Sequence, residues 1–301
     1  MHNAQVKIIC DSIGEHSPRL TTFQLRYWRG IHAELMTHRV FSRNAGSSRA
    51  RPSAAIIEQV RRDPWGPLEW GQNQSGMQAE NQVDDATRVL AENEWGLAAQ
   101  DAAKRAENMA ILGLHKQVVN RVLEPFTFID VVLTSTDFAN WFTLRDEKDA
   151  DPTIQDLARR MKEAMKASNP VFLKPGEWHL PYIKTQDFYD VRDYLVKQHN
   201  VRAEPNEKQI VDVLKKVSTA RCARISYAPF DGNGSIEKEV ARHDLLVVSQ
   251  PVHASPAEHQ ATPDELIIDN EQDEWAAQYL HGNLRGWVQY RKTLPNEFVP
   301  G

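Results

Sequence analysis

The chain has 301 residues, 41% hydrophobic and 26% charged, and 36 lysines and arginines against 41 aspartates and glutamates leave a net charge of −5. This suits a globular protein with a sizeable core and excludes bulk charge as a means of holding nucleic acid, so any anion site must be a local basic cluster. Two cysteines exclude a disulfide framework, no Cys/His spacing suggests zinc, and no apolar run matches a membrane span or signal-peptide core, so the cytoplasm is expected.

Val6–Cys10 reads as a short strand. After the turn-rich Asp11–Pro18, Leu20–Trp28 alternates apolar and polar residues, with Phe23 and Leu25 on one face, and reads as a second strand. Gly30 breaks it, and Ile31–Thr37 follows as a short helix with Ile31 and Leu35 four apart. The stretch His38–Pro52 comes next, and Ser53 is placed to cap a helix over Ala54–Arg62. Residues 63–80 form a loop long enough to be a lid or a binding loop. Residues 82–114 are helical in composition, Lys116–Leu123 continues as helix, and Pro125 ends it.

Asp137–Glu147 and Thr153–Ala167 are two further expected helices, the second opening on Asp151-Pro152, a cap followed by a first-turn proline. Pro170–Tyr182 is irregular, and Phe188–Gln198 and Lys208–Cys222 are helical. Asp231–Ser235 is a turn, Ile236–Ser249 a helix, and Pro251–Pro263 a loop carrying His253, Glu258 and His259. Asn283–Tyr290 reads as a last short strand, and Trp141 and Trp287 read as core residues. Helix dominates, with a few strands bunched near both termini. The expected fold is α+β, a small, mostly antiparallel sheet packed with many helices.

His38–Pro52 is the stretch with chemistry in it. It carries Arg39, Arg43, Arg49 and Arg51, with Ser42, Ser47 and Ser48, Asn44 and His38. Guanidinium groups bind phosphate bidentately, and hydroxyls and loop amides complete such a cradle. The plain alternative is a solvated basic loop.

The order of these residues resembles the signature of the flavin-dependent thymidylate synthases, Arg-His-Arg, two residues, Ser-x-Asn-Glu-x-Ser-x-Arg-Tyr. His38, Arg39, Ser42, Asn44, Ser47 and Arg49 fall at matching spacing, while Thr37, Ala45 and Ala50 replace the family's arginine, glutamate and tyrosine. Glu34 stands where the family usually has glutamine. Arg121-Val-Leu-Glu-Pro125 resembles its Arg-x-Leu-Pro region, and Asn140-Trp-Phe-Thr-Leu-Arg145 its helix with an asparagine near flavin and an arginine near nucleotide. Ala220–Tyr227 with His253–His259 resembles its opening segment, which here follows the signature instead of preceding it. A circular permutation accounts for this order and would bring Leu20–Trp28 and Asn283–Tyr290 into one sheet. The resemblance makes residues 1–301 one domain, with family-like segments 19–52, 115–165 and 218–292 in permuted order and helical insertions at 63–110 and 168–215.

The resemblance implies transfer of a one-carbon unit from 5,10-methylenetetrahydrofolate to C5 of dUMP, with hydride from reduced FAD and NADPH as reductant. It implies dUMP contacts at Glu34, Ser47, Arg49, Arg121 and Arg145, catalytic roles for Arg145 and Arg49, and FAD contacts at His38, Arg39, Ser42, Asn44, Asn140 and His259. It also implies a homotetramer with sites between subunits, small-molecule partners only, no nucleic acid and no membrane. So divergent a form suggests a viral (phage) origin and the host cytoplasm. Asn140 and Arg145, five apart on a helix, point about 140° apart and so would serve different ligands or different parts of one. A salt bridge from Arg145 to Asp146 or Asp151 is the rival for that residue, a helix-end cap for His38, and a structural loop role for His253 and His259. Cys222 reads as an inert core residue and Cys10 ends a strand, so neither has the electropositive setting of a thiolate nucleophile. Two rival activities stand beside the first: hydroxymethylation of dUMP or dCMP, which Thr37 and Ala45 leave room for, and a nucleotide-binding protein without catalysis.

Overall fold

The computed structural model describes residues 2–199, 204–225, 234–247, 252–268, 273–295 and 297, and its fold is α+β. It is organised around the second strand, β2 (Leu20–Trp28), which pairs antiparallel with β1 (Gln5–Ile13). A four-residue helix, α1 (His32–Leu35), follows and leads into β3 (Ser42–Ala45). Next come α2 (Ser53–Arg62), the 27-residue α3 (Asp85–Ile111) and the short α4 (Lys116–Val119). The chain returns as β4 (Phe128–Ser135), between β2 and β3, then α5 (Ala139–Arg145), α6 (Pro152–Ala167) and β5 (Val171–Phe172). The sheet order is β3-β4-β2-β1-β5, antiparallel throughout except for the parallel β1–β5 edge. Then follow α7 (Thr185–His199), α8 (Glu207–Arg224) and α9 (Ile236–Val247). Short strands β6 (Ala261–Pro263), β7 (Leu266–Ile267), β8 (Glu274–Trp275) and β9 (Trp287–Gln289) form two further two-stranded sheets, β6–β9 and β7–β8.

Successive strand residues face opposite sides, so register gives each face its chemistry. Phe23 pairs with Leu133, Leu25 with Val131 and Tyr27 with Ile129, making an apolar face. Helix α6 covers it with Ile154, Leu157, Ala158 and Met161, an i, i+3, i+4, i+7 stripe buried with them, and Trp141 and Phe138 close one end. The Asp151 carboxylate caps α6 by accepting from the amides of Thr153 and Ile154 at 2.8 and 3.3 Å. The other face is polar: Thr22 opposes Thr134, Gln24 opposes Val132 and Arg26 opposes Asp130. Helix α3 uses a stripe of small residues, Ala99, Ala103 and Ala106, to pack beside Ile56, Ile57 and Val60 of α2.

The structure corrects several expectations. Pro125 lies inside a 3-10 turn over Asn120–Phe126 rather than ending a helix, and β4, the second most interior strand, was not read at all. Strands β4 and β5 fall well inside the chain, so the strands are not all bunched near the termini. Strand β9 pairs with β6 in its own sheet instead of joining β2; it approaches β2 only through the core contact of Leu20 with Leu284 and Trp287. Ser53 does not cap α2: Pro52 occupies the cap position without a side-chain hydrogen bond. Residues 168–215 are not purely helical, since they begin with β5. Ser226 and Tyr227, most of the Asp231–Ser235 turn, Val248 to Gln250 and Pro251 lie outside the described residues. Trp141 and Trp287 are fully buried, as read from the sequence.

Asp11 of β1 clamps this sheet to the end of α6. It accepts from Arg19 Nε and Nη2 at 2.9 and 2.5 Å, from Thr21 Oγ1 at 3.0 Å and from Ser168 Oγ at 2.5 Å. Burial alone would raise its pKa, but the Arg19 guanidinium and the two hydroxyls outweigh it and hold the carboxyl below its ordinary value. A depressed folded pKa stabilises above the unfolded value and loses that effect as pH falls through the folded one. The Tm gap between the native protein and Asp11→Asn should therefore be constant from about pH 8 to 5 and shrink below about pH 4. A gap that stays constant into acid would contradict the clamp.

Candidate functional site

Strand β3 sorts the basic stretch by alternation. Ser42 and Asn44 lie on the polar side of the sheet, opposite Thr134 and Val132, while Arg43 and Ala45 take the other side opposite Leu133 and Val131. Arg43 is consequently structural here: its Nη1 donates to the His38 carbonyl at 2.7 Å and stiffens the turn before the strand. Ser42 is buried and meets Asn283, whose Nδ2 lies 3.0 Å from Ser42 Oγ and also donates to the Val40 carbonyl at 2.8 Å. Gln289 Nε2 in turn donates to Asn283 Oδ1 at 2.9 Å. Beside them opens a cleft of about 350 Å³ lined by Glu258, Asn283, Gln289, Arg291 and Lys292, with Arg291 paired to Glu258.

Asn44 ends a chain of buried polar side chains across the sheet. Its Oδ1 lies 2.9 Å from His259 Nε2, and its Nδ2 is 3.2 Å from Ser255 Oγ. His259 Nδ1 lies 2.8 Å from Thr134 Oγ1, which is 2.7 Å from Thr22 Oγ1. Thr22 continues to His179 Nε2 at 2.8 Å, and His179 Nδ1 to Ser12 Oγ at 2.9 Å. Both imidazoles are fully buried, and burial pushes their pKa values down to about 3, so both rings are neutral. Both ring nitrogens of His259 are hydrogen-bonded to protein side chains, Thr134 and Asn44. His253 is exposed.

A second group gathers around Arg145 at the end of α5. Its Nη1 donates to Glu34 Oε2 at 3.0 Å, its Nε to His38 Nε2 at 3.1 Å, and its Nη2 sits 3.4 Å from Thr37 Oγ1. The acid beside Arg145 is thus Glu34 from α1, not Asp146 or Asp151; Asp146 is occupied by Lys162 and Arg159. His38 is buried against Phe41 and edge-on to Trp141, with ring centroids 5.8 and 4.8 Å away. Burial and the nearby Arg145 and Arg43 guanidiniums lower its pKa. Helix geometry places Asn140 on the exposed side of α5, away from this group.

The turn after β3 builds a third group. Gly46 N donates to the Asp130 carbonyl at 2.7 Å and Arg29 Nη2 to the Gly46 carbonyl at 3.0 Å. Ser48 Oγ donates to Glu124 Oε1 at 2.5 Å, Arg121 Nη1 to the same oxygen at 3.0 Å, and Asn120 Nδ2 to the Ser48 and Arg51 carbonyls at 2.7 and 3.0 Å. The Arg26 and Arg51 guanidiniums lie 4.0 and 5.3 Å from the Phe128 ring centroid. Among the described residues, Arg39 and Arg49 are exposed cations with no acidic partner, and the Ser47 hydroxyl has no side-chain hydrogen bond. Sequence reading missed Arg26, Arg29, Asn120, Glu124 and Asn283. Of these only Arg26 carried a signal, its place on the polar side of an alternating strand.

The structure therefore brings Glu34, Thr37, His38 and Arg145 together at one end of β3 and Ser47, Arg49 and Arg121 at the other. The four-residue strand β3 runs between the two groups. Cys10 and Cys222 belong to neither group; burial raises Cys10 to about 11 and Cys222 further. Among the described residues there is no cluster of His, Cys, Asp or Glu able to hold a metal ion.

No family model and no curated protein matches the chain. Solved structures with a similar backbone include a UMP/dUMP methylase, PolB, from Streptomyces cacaoi bound with 5-Br UMP, 15% identical over 56% of this chain and 90% of that one at a TM-score of 0.45. The same enzyme with 5-Br dUMP is 16% identical over 56% and 91%, at 0.41. A flavin-dependent thymidylate synthase, ThyX, from Helicobacter pylori complexed with FAD and dUMP is 17% identical over 48% and 67%, at 0.35. Each is a partial likeness of backbone covering about half of this chain.

Replacing Arg145 with Met removes one of the two cations that disfavour the His38 imidazolium while leaving the burial. The His38 pKa, followed by NMR titration, should rise towards its ordinary value without reaching it. An unchanged or lower value would separate the two residues in solution.

Proposed function

We propose that this protein is a flavin-dependent enzyme that transfers a one-carbon unit from 5,10-methylenetetrahydrofolate to C5 of dUMP. With NADPH reducing the flavin, dUMP, methylenetetrahydrofolate, NADPH and a proton give dTMP, tetrahydrofolate and NADP⁺. The observation that supports this best is the Arg145–Glu34–His38–Thr37 group beside a strand and turn that present Ser42, Asn44, Ser47 and Arg49 in the order the resemblance requires.

In this reading Arg145 is the catalytic cation. It lies at a pyrimidine ring edge and stabilises negative charge as the ring is activated for attack from C5. Glu34, held by Arg145, accepts from the ring N3–H. Arg49 and Arg121 pair with the phosphate, helped by the Ser47 hydroxyl, and Arg49 so fixes the nucleotide for reaction. FAD falls to the remaining residues: Arg39, an exposed cation, for its phosphates, with Ser42, Asn44, Asn140 and His38 along its length and His259 acting through Asn44. When bound, FAD supplies the hydride that completes the methyl group. The raised thiols of Cys10 and Cys222 argue against a cysteine attacking the uracil ring.

The two nucleotide-facing groups at opposite ends of β3 favour sites completed by a second copy of the chain, as in a homotetramer. A second activity is favoured by Glu34. A carboxylate only accepts hydrogen bonds, and so suits the amino group of cytosine as well as uracil N3–H. With Thr37 and Ala45 in place of an arginine and a glutamate, hydroxymethylation of dCMP or dUMP, ended by water instead of hydride, is the alternative.

Purified protein should be yellow or take up FAD, and mass spectrometry of products from dUMP and dCMP with methylenetetrahydrofolate, with and without NADPH, separates methyl from hydroxymethyl. A colourless protein that takes up neither FAD nor dUMP would sink both activities. Arg49→Ala should weaken dUMP binding by about tenfold to a hundredfold, the loss of one charge-assisted pair, while FAD affinity is kept. Equal loss of both would contradict the assignment.

A further inference from the structure

The buried chain of side chains from Ser12 to Ser255 has one direction, and it can be worked out from a single group. Asn44 presents its Oδ1 to His259 Nε2 and its Nδ2 to Ser255 Oγ. A carbonyl oxygen only accepts, so His259 carries its proton on Nε2. A neutral ring then has an accepting Nδ1, and Thr134 must donate to it. The Thr134 oxygen accepts from Thr22, and Thr22 accepts from His179 Nε2–H. His179 Nδ1 accepts in turn from Ser12 Oγ. All six hydrogen bonds run the same way, and both histidines hold the same tautomer.

Ser12, Thr22, Thr134, His179 and His259 are at most 2% exposed, and the chain reaches the surface only at Asn44 and Ser255. No water can substitute for a missing member in so dry a seam without a cavity being opened for it. Each hydroxyl along it has one proton and is committed by its neighbour, so the order at Ser12 and the order at Asn44 are a single choice.

We propose that this chain is a positioning device for Asn44: Thr134 and His259 hold the amide in one orientation, so that its remaining N–H and its remaining lone pair are offered to a bound group in a fixed arrangement. The inference rests on the reading of Asn44 as a flavin-side ligand, but the proton order itself does not. An amide free to flip would offer a donor and an acceptor interchangeably; the seam removes that freedom. Thr134 and His259 touch no ligand in this account and act only through Asn44.

The test has two parts. Long-range ¹H–¹⁵N correlation on flavin-free protein reads histidine tautomers directly, and His179 and His259 should both be neutral and protonated at Nε2. Protonation at Nδ1 in either ring, or opposite tautomers in the two, would overturn the chain. Thr134→Val breaks the seam in its middle, and should shift the His259 signals and weaken FAD binding by about tenfold, the loss of roughly one well-placed hydrogen bond. Thr134→Ser, which keeps the hydroxyl, should restore both, and this rescue distinguishes positioning from a general loss of fold. Shifted His259 signals with unchanged FAD affinity would overturn the positioning role. A native protein that shows the expected tautomers yet never binds FAD would overturn the reading of Asn44 and, with it, the ligand-directed part of this proposal, while leaving the proton order intact.

Discussion

The pairing of β2 with β4 is the constraint on which the rest of the molecule depends. Eight residue pairs run in unbroken antiparallel register from Thr21–Ser135 to Trp28–Phe128. With side chains alternating, that register decides at once that Phe23, Leu25, Val131 and Leu133 go to a dry helix-covered side and that Thr22, Arg26, Asp130 and Thr134 go to the other. A slip of one residue would exchange the two sets and place a guanidinium under α6. The signature strand β3 inherits its orientation from β4, which is why Ser42 and Asn44 look toward one side and Arg43 and Ala45 toward the other.

The polar side is unusual in being covered rather than wet. Uncompensated hydroxyls and imidazoles buried there would each destabilise the fold by about 1–3 kcal/mol, so the covering segments must bring partners with them. They do: His179 comes with the irregular run after β5, and His259 with the turn before β6. Gln260 completes a neighbouring cluster with Thr219 and Ser218 of α8. The segments that follow α6 are thereby tied to the sheet by polar fit as well as by the apolar contact of Leu20 with Leu284 and Trp287, and the polar fit places them against β3.

What could be read in the sequence follows from these surfaces. Strand β2 was legible to the residue because one side is apolar and the other polar, the case in which alternation is visible. Strand β4 was not, because Val131–Ser135 is buried on both faces and loses its period. Strand β3 hid in a run of serines, arginines and an asparagine with little intrinsic preference for an extended chain. Helix α6 declared itself through Asp151-Pro152 and its apolar stripe. In the candidate site, the order of motifs put His38 on the flavin side and Glu34 and Arg145 on the nucleotide, but the hydrogen bonds that join Arg145 to His38 and to Glu34 span 107 and 111 positions, and no local pattern carries such pairings. The burial of His259 was likewise invisible, since a loop histidine between a glutamate and a glutamine looks the same wet or dry.

The polar seam also bears on how the chain reaches this state. Its links join residues 112, 125, 157, 167, 211 and 215 positions apart. The β1–β2 hairpin closes a short loop and can form early, whereas every link of the seam waits for segments from across the chain to arrive, and loop-closure entropy makes such contacts late. Until they do, the hairpin exposes Thr22 and its neighbours to water, which satisfies them at no penalty. The seam therefore assembles as water leaves it, in the final stage of folding, and the strand carrying Ser42 and Asn44 gains its definition only then. Order at the candidate site is in this sense a property of the completed fold and not of the segment that bears the motif.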